Sequence, residues 1–280
     1  MHNPASSTYR GMDRAALDVA YNNRAVVPDW EGYLARWRAR SDVVYGQASA
    51  RDLAYGPAPR QRLDLLLAPD PQAPTVLFLH GGYWQWNDKE GQAFVAEGLL
   101  PRGLSVAVGE YTLAPQASID DICAEARAQV AFLAAELQRR GRRPQLLLCG
   151  ISTGAHLMAC ALDHPAVRGA LLISGIYDLE PIRLSSLNDA IGMDAGAARR
   201  NSPLHAIPPQ LPPVVLAFGA EERPEIRRQS ADYAAALQAL GHRVEVLPVA
   251  GADHFSVLET LADPAGVLAQ RMRRLAEAVA

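Results

Sequence analysis

The sequence predicts an α/β fold, in which a mostly parallel central sheet is flanked by helices within one domain. Two observations carry this. Beyond residue 45, short β-rich runs alternate with stretches of helical period. Several of the runs, such as TVLFLH at 75–80 and QLLLC at 145–149, are continuously apolar rather than alternating. That is the pattern of strands covered on both faces.

Residues 1–45 hold two weakly amphipathic helical stretches, 13–21 and 30–44. Candidate strands follow at 62–67, 75–80, 105–109, 145–149, 169–174, 214–218 and 243–248. Helical period connects Ile122, Ala126, Val130, Leu133 and Leu137, and again Ile226, Tyr233, Leu237 and Leu240. The run at 62–67 precedes the first crossover helix, which suits an antiparallel edge. Residues 179–213 break the rhythm with six prolines. We read this stretch as a small cap-like insertion over the carboxyl ends of the strands, where such sheets bind ligands.

Composition narrows the function. The chain has 280 residues, 49% hydrophobic and 20% charged, enough for a sizeable core. Its net charge is −3 and it has no basic run, which argues against nucleic acid or an anionic membrane as partner. A small molecule is the expected partner. The apolar runs are strand-sized, and MHNPASSTYR at 1–10 lacks the pattern of a secretory signal. Cys123, Cys149 and Cys160 fit no C-x-x-C spacing, so a reducing, cytoplasmic setting is expected. Neither metal nor cofactor is implied, because H-E-x-x-H, G-x-G-x-x-G and the P-loop are all missing. Oligomeric state stays open, a homodimer included.

The chemistry-bearing signal is Gly150-Ile151-Ser152-Thr153-Gly154, set between the strand QLLLC and the helical AHLMACAL. A serine on a sharp strand-to-helix turn needs small neighbours, and the helix N-terminus favours developing negative charge. HGGYW at 80–84 ends an early strand. Its glycines, with the N–H of Thr153, would form an oxyanion hole from Gly81, Gly82 and Thr153. His80 is expected to brace that loop. A serine needs a base held by a third group. Of seven histidines, His254 alone follows the last strand at its carboxyl end. His2, His156, His164, His205 and His242 lie at the terminus, behind the nucleophile, at the opposite sheet end or in the insertion. The acid should follow an intervening strand. Spacing from Gly219 favours Glu222, with Glu221 and Asp178 left as alternatives.

These motifs carry a specific resemblance. HGGYW at 80–84, YTLAP at 111–115, GISTGAHL at 150–157, SGIYDLEP at 174–181, NSP at 201–203, PEIRRQS at 224–230 and DHF at 253–255 resemble the kynurenine formamidase family of α/β hydrolases and its bacterial esterase relatives. The resemblance implies an α/β-hydrolase fold, a Ser152–Glu222–His254 triad and an oxyanion hole at Gly81, Gly82 and Thr153. Ile151 departs from the histidine often found there. Glu222 stands where animal formamidases usually have aspartate, a longer arm that demands a retracted loop or hands the role elsewhere.

Tyr83, Trp84, Trp86 and Tyr177 fall near the nucleophile by motif and suit an aromatic-walled substrate site, with core packing expected to take one or two of them. The resemblance implies N-formyl-kynurenine or another N-formyl arylamine as substrate. Read from the residues alone, ester and amide are equal, since both pass through one tetrahedral oxyanion. A small-molecule carboxylesterase is therefore the runner-up, and a non-catalytic ligand-binding scaffold a third reading. Glu180, Arg183 and Asn188 are the insertion's candidates for an amino-acid end of the substrate.

Overall fold

The computed structural model describes residues 8–278. Its centre is an eight-stranded sheet of order β1-β2-β4-β3-β5-β6-β7-β8. The strands are β1 Ala50–Ala54, β2 Arg62–Leu66, β3 Thr75–Leu79, β4 Ser105–Gly109, β5 Leu146–Ile151, β6 Val167–Ile173, β7 Val214–Gly219 and β8 Val244–Val249. β2 pairs antiparallel with β1 and β4, and every other pairing is parallel. The fold predicted from the sequence is thus the fold observed; the strand at 62–66 is antiparallel as expected, but it is not the edge, because β1 pairs along its outer side.

Helices α1 Arg14–Tyr21 and α2 Trp30–Val44 precede the sheet; α3 Ala96–Leu99, α4 Ile119–Arg139 and α5 Thr153–Ala159 lie between its strands. The insertion holds three short helices, α6 Glu180–Arg183, α7 Asn188–Ile191 and α8 Ala195–Arg200. After β7 come α9 Pro224–Ala239, α10 Ser256–Ala262 and α11 Val267–Glu277. None of the described helices is long and apolar enough to cross a membrane.

Strand periodicity explains the continuous apolar runs. Successive side chains point to opposite faces. Leu77, Leu79, Leu146 and Leu148 therefore join one core with residues of α4, α5 and α9. Val76, Phe78, Leu147 and Cys149 join a second core with residues of α2, α3, α10 and α11. Each such side chain contributes roughly 1.5–3 kcal/mol on burial, so both faces must be apolar.

β1 was not legible in the sequence. It is a polar edge strand, ARDLA, with no residue fully buried and hence no apolar period. Beside it, Asp64 of β2 points inward at 0% exposure, neutralised by Lys89 Nζ at 2.8 Å.

Candidate active site

β5 ends at Ile151 and α5 begins at Thr153, so Ser152 alone makes the turn. Its φ of 56° and ψ of −119° lie where a non-glycine residue persists only under constraint from its surroundings. The flanking glycines serve closeness rather than unusual φ. A Cβ on Gly150 would lie 2.5 Å from the Gly154 carbonyl carbon, and one on Gly154 would lie 2.1 Å from the Leu79 oxygen. Any side chain at either position would push the turn open.

The loops after β7 and β8 are zipped together. Ala220 N donates to Val249 O and Glu221 N to Ala252 O, both at 2.9 Å. A Cβ on Gly219 would meet Ala252 O at 2.3 Å, so only glycine permits this approach. Glu222 turns inward from the zipped loops. Its Oε1 accepts from Gly219 N at 2.7 Å and from Ser174 Oγ at 2.5 Å, while its Oε2 faces His254 Nδ1 at 2.8 Å. The longer glutamate arm thus reaches His254 directly from this loop. Among the described residues, neither other candidate acid contacts His254. Glu221 is exposed, and Asp178 accepts from Tyr9 Oη at 2.8 Å and Glu180 N at 3.0 Å.

The glycine loop is strained and heavily braced. Gly82, Tyr83, Trp84 and Asn87 all have positive φ. At Gly82, φ is 120° and a Cβ would strike Trp86 O at 2.4 Å, so no other residue fits. A Cβ on Gly81 would come within 3.0 Å of Ser152 Cβ, which puts this backbone against the Ser152 turn. His80 does brace the loop: Nδ1 meets Gly81 O at 2.8 Å and Nε2 meets buried Glu110 at 2.9 Å. Arg60 Nη2 and Tyr111 N also donate to Glu110, both at 2.8 Å. Burial pushes the Glu110 carboxyl up, but the His80 ring, Arg60 and the Tyr111 N–H more than offset it and hold it below the usual range.

Ser152, His254, Gly81 and Gly82 open on one cavity of about 570 Å³. Two of the four aromatic residues expected at the site are there, Tyr83 and Trp86. The other two are corrected by the structure. Trp84 is fully buried, edge-on to His156 with ring centroids 5.1 Å apart, and Tyr177 is fully buried against Tyr233 at 4.4 Å. Each points into the core, because the positive-φ turn at Trp84 and the bend after β6 rotate them off the cavity. The cover also differs from the expectation. Of 179–213 only Ser186 and Leu187 reach the cavity, whereas Tyr21 to Ala25, Trp30, Leu34 and Trp37 wall it from the N-terminal side. Glu180 and Arg183 pair with each other at 2.7 Å, and Asn188 caps onto Met193; none lines the cavity.

Sequence spacing also concealed one donor cluster. Cys123 on α4, His156 on α5 and Cys160 just after α5 place their donor atoms within 4.8 Å of one another. The His156 Nε2 that lies 3.7 Å from Cys160 Sγ is also held by Asn201 O at 2.7 Å.

Comparison with known proteins fits this geometry. Residues 63–164 match the BD-FAE family model. The kynurenine formamidase of Danio rerio is 34% identical, with 92% of this chain and 94% of that protein covered. The chain belongs to the kynurenine formamidase family. It is thus a hydrolase of the ester- and amide-cleaving α/β-hydrolase group. An isoprenylcysteine methylesterase homologue of Oryza sativa is 37% identical over 42% of this chain and 29% of that protein. A Silicibacter sp. crystal structure, provisionally assigned as a thioesterase, has a TM-score of 0.81 at 30% identity, covering 91% of this chain and 97% of that one.

In this member of the family, the motifs that carry the resemblance meet in space. Ala114 N of YTLAP donates to Trp84 O of HGGYW at 2.8 Å. Gln229 of PEIRRQS accepts from Tyr177 N and Asp178 N at 2.9 Å, and donates to Tyr21 Oη at 3.0 Å. It thus staples the bend after β6 to α9 and to α1, which walls the cavity. Three residues of the site escaped sequence reading. Ser174 opens SGIYDLEP just after β6, a motif that carried no role for its hydroxyl, and Asn23 and Arg24 lie between two weak helices.

Proposed function

We propose that the protein is a serine hydrolase that deformylates N-formyl arylamines of the kynurenine type through a formyl-enzyme on Ser152. The observation that carries this is the His254–Glu222 contact at 2.8 Å on the cavity that Ser152 shares. Glu222 fixes Nδ1 as the protonated nitrogen, which leaves Nε2 as the base. In this reading Nε2 takes the Ser152 proton as Oγ attacks the formyl carbon. The oxyanion collects N–H bonds from the Gly81–Gly82 loop and from Thr153. Collapse expels the arylamine, protonated by His254, and water then releases formate by the same steps.

The partner in this reading is a small formamide or ester. Three unpaired cysteines support a reducing, cytoplasmic setting.

The test pairs two measurements. Wild-type protein should be labelled by a fluorophosphonate where Ser152→Ala is not, and should release formate from N-formyl-kynurenine. Labelling together with ester turnover but no formate would support the second reading, a small-molecule carboxylesterase. That reading is favoured by a cavity much larger than a formyl group and by the esterase relatives. A wild-type protein as unreactive as Ser152→Ala would support the ligand-binding reading instead.

A further inference from the structure

The geometry points to a metal site for a thiophilic divalent cation of the zinc kind, formed by Cys123, His156 and Cys160. None of the three lines the cavity that Ser152 shares, so the inference stands apart from the proposed reaction.

The chain builds the cluster from two helices. His156 and Cys160 are four residues apart, on α5 and just after it, a spacing that puts them on one face. Cys123 comes from the start of α4. One donor atom from each residue lies within 4.8 Å of the other two, with His156 Nε2 3.7 Å from Cys160 Sγ. Two thiols and an imidazole are donors that zinc selects, whereas calcium and magnesium take oxygen. Charge fits as well. A divalent ion displaces the proton of each thiol and binds two thiolates, which cancels its charge where burial would otherwise penalise it. Cys123 is 7% exposed and His156 0%, but Cys160 is only half-buried, which gives an ion a way in from the surface.

A second observation is independent of the spacing. His156 is fully buried, yet its Nδ1 has no partner among the described residues. Buried polar groups are as a rule hydrogen-bonded. Nothing on that side fixes the tautomer, so the ring can carry its proton on Nδ1 and offer the Nε2 lone pair to an ion. Nε2 lies 2.7 Å from Asn201 O, and that contact is what the ion must displace. One net hydrogen bond is far weaker than a pair of metal–thiolate bonds. Asn201 Nδ2 also donates to Asp120 Oδ1 on α4 at 2.8 Å, so α4, α5 and the end of α8 already meet here. His156 N donates to Ser152 O at 3.2 Å. A bound ion therefore staples α4 to the helix that begins at the Ser152 turn, and stabilises the scaffold without joining the chemistry.

The test takes the purified full chain, reduced and treated with a chelator, and titrates it with cobalt(II) and then zinc(II). Cobalt should bind one ion per chain with the near-ultraviolet absorption of a thiolate–cobalt bond, and zinc should displace it. Cys123→Ser and Cys160→Ser should each weaken zinc binding roughly a hundredfold or more and remove most of that absorption. His156→Gln should weaken binding in the same direction. Cys149→Ala should leave it unchanged, because that thiol lies in the core on the other face of the sheet. Zinc should also raise the denaturant midpoint of wild type and leave that of Cys123→Ser unmoved. Wild type without thiolate–cobalt absorption, or absorption that survives in both cysteine variants, would overturn the inference. So would a Cys123–Cys160 disulfide that, once reduced, still takes no cobalt. If the cysteine variants do not fold, alkylation of wild type decides. Zinc should protect Cys123 and Cys160 from iodoacetamide, mapped by mass spectrometry, and equal labelling with and without zinc removes the site.

Discussion

Ser174 Oγ donates to Glu222 Oε1 at 2.5 Å, on the oxygen opposite the one that faces His254. Ser174 has a φ of 53° and its N–H is anchored to Ala217 O at 2.7 Å. The end of β6 is therefore bent into a strained conformation that aims this hydroxyl at Glu222. With Gly219 N on the same oxygen, the carboxylate is fixed in plane and in rotation.

Ser174→Ala is accordingly expected to lower kcat about tenfold with KM nearly unchanged, because it loosens a group that orients the base. Steady-state kinetics on an aryl ester checks this. A change confined to KM would show that Ser174 does not act through Glu222.

Ser152→Ala and His254→Ala should each lower kcat by roughly 10⁴–10⁶ with the fold intact, and Glu222→Gln by about 10²–10⁴. Asp178→Asn should stay far closer to wild type, since its carboxylate is taken by Tyr9 and Glu180. If Asp178→Asn proves the more damaging, the acid has been misassigned.

Two neighbouring tryptophans should respond in opposite ways. Trp84→Ala empties a fully buried site and should cost about 3–5 kcal/mol of stability, read as a fall in denaturant midpoint. Trp86 is 40% exposed on the cavity, so Trp86→Ala should leave stability near wild type and raise KM for aromatic substrates.

Glu110 ties stability to pH. Its folded carboxyl titrates below its unfolded value, so its contribution is complete above the unfolded value, about 4.3, and fades as pH falls through the folded one. Glu110→Gln should therefore lose roughly 1–3 kcal/mol at neutral pH. The gap to wild type should close on acidification below about pH 4. Thermal melts across that range decide it; a gap that widens in acid would contradict the assigned network.

The sheet was legible because a strand buried on both faces must be apolar along nearly its whole length, and 76–79 and 146–149 are. The turn at Ser152 was legible because steric closeness forces glycine at Gly150 and Gly154, whatever the surrounding sequence. β1 was hidden, since an edge strand buries too little to show a period. The side-chain directions of Trp84 and Tyr177 were hidden too. A motif gives a residue's place along the chain, while backbone torsion at that place decides which way the ring turns.

By itself the sequence determined the alternation of strands and helices and the identity of the serine, the late histidine and the glycine loop. Each of these follows from a local rule of burial or sterics that a few adjacent residues express. Only the tertiary structure decided which carboxylate meets His254 and which segment walls the cavity. Those relations join residues as distant along the chain as Tyr21 and His254, and no local pattern records which distant segment will be drawn close.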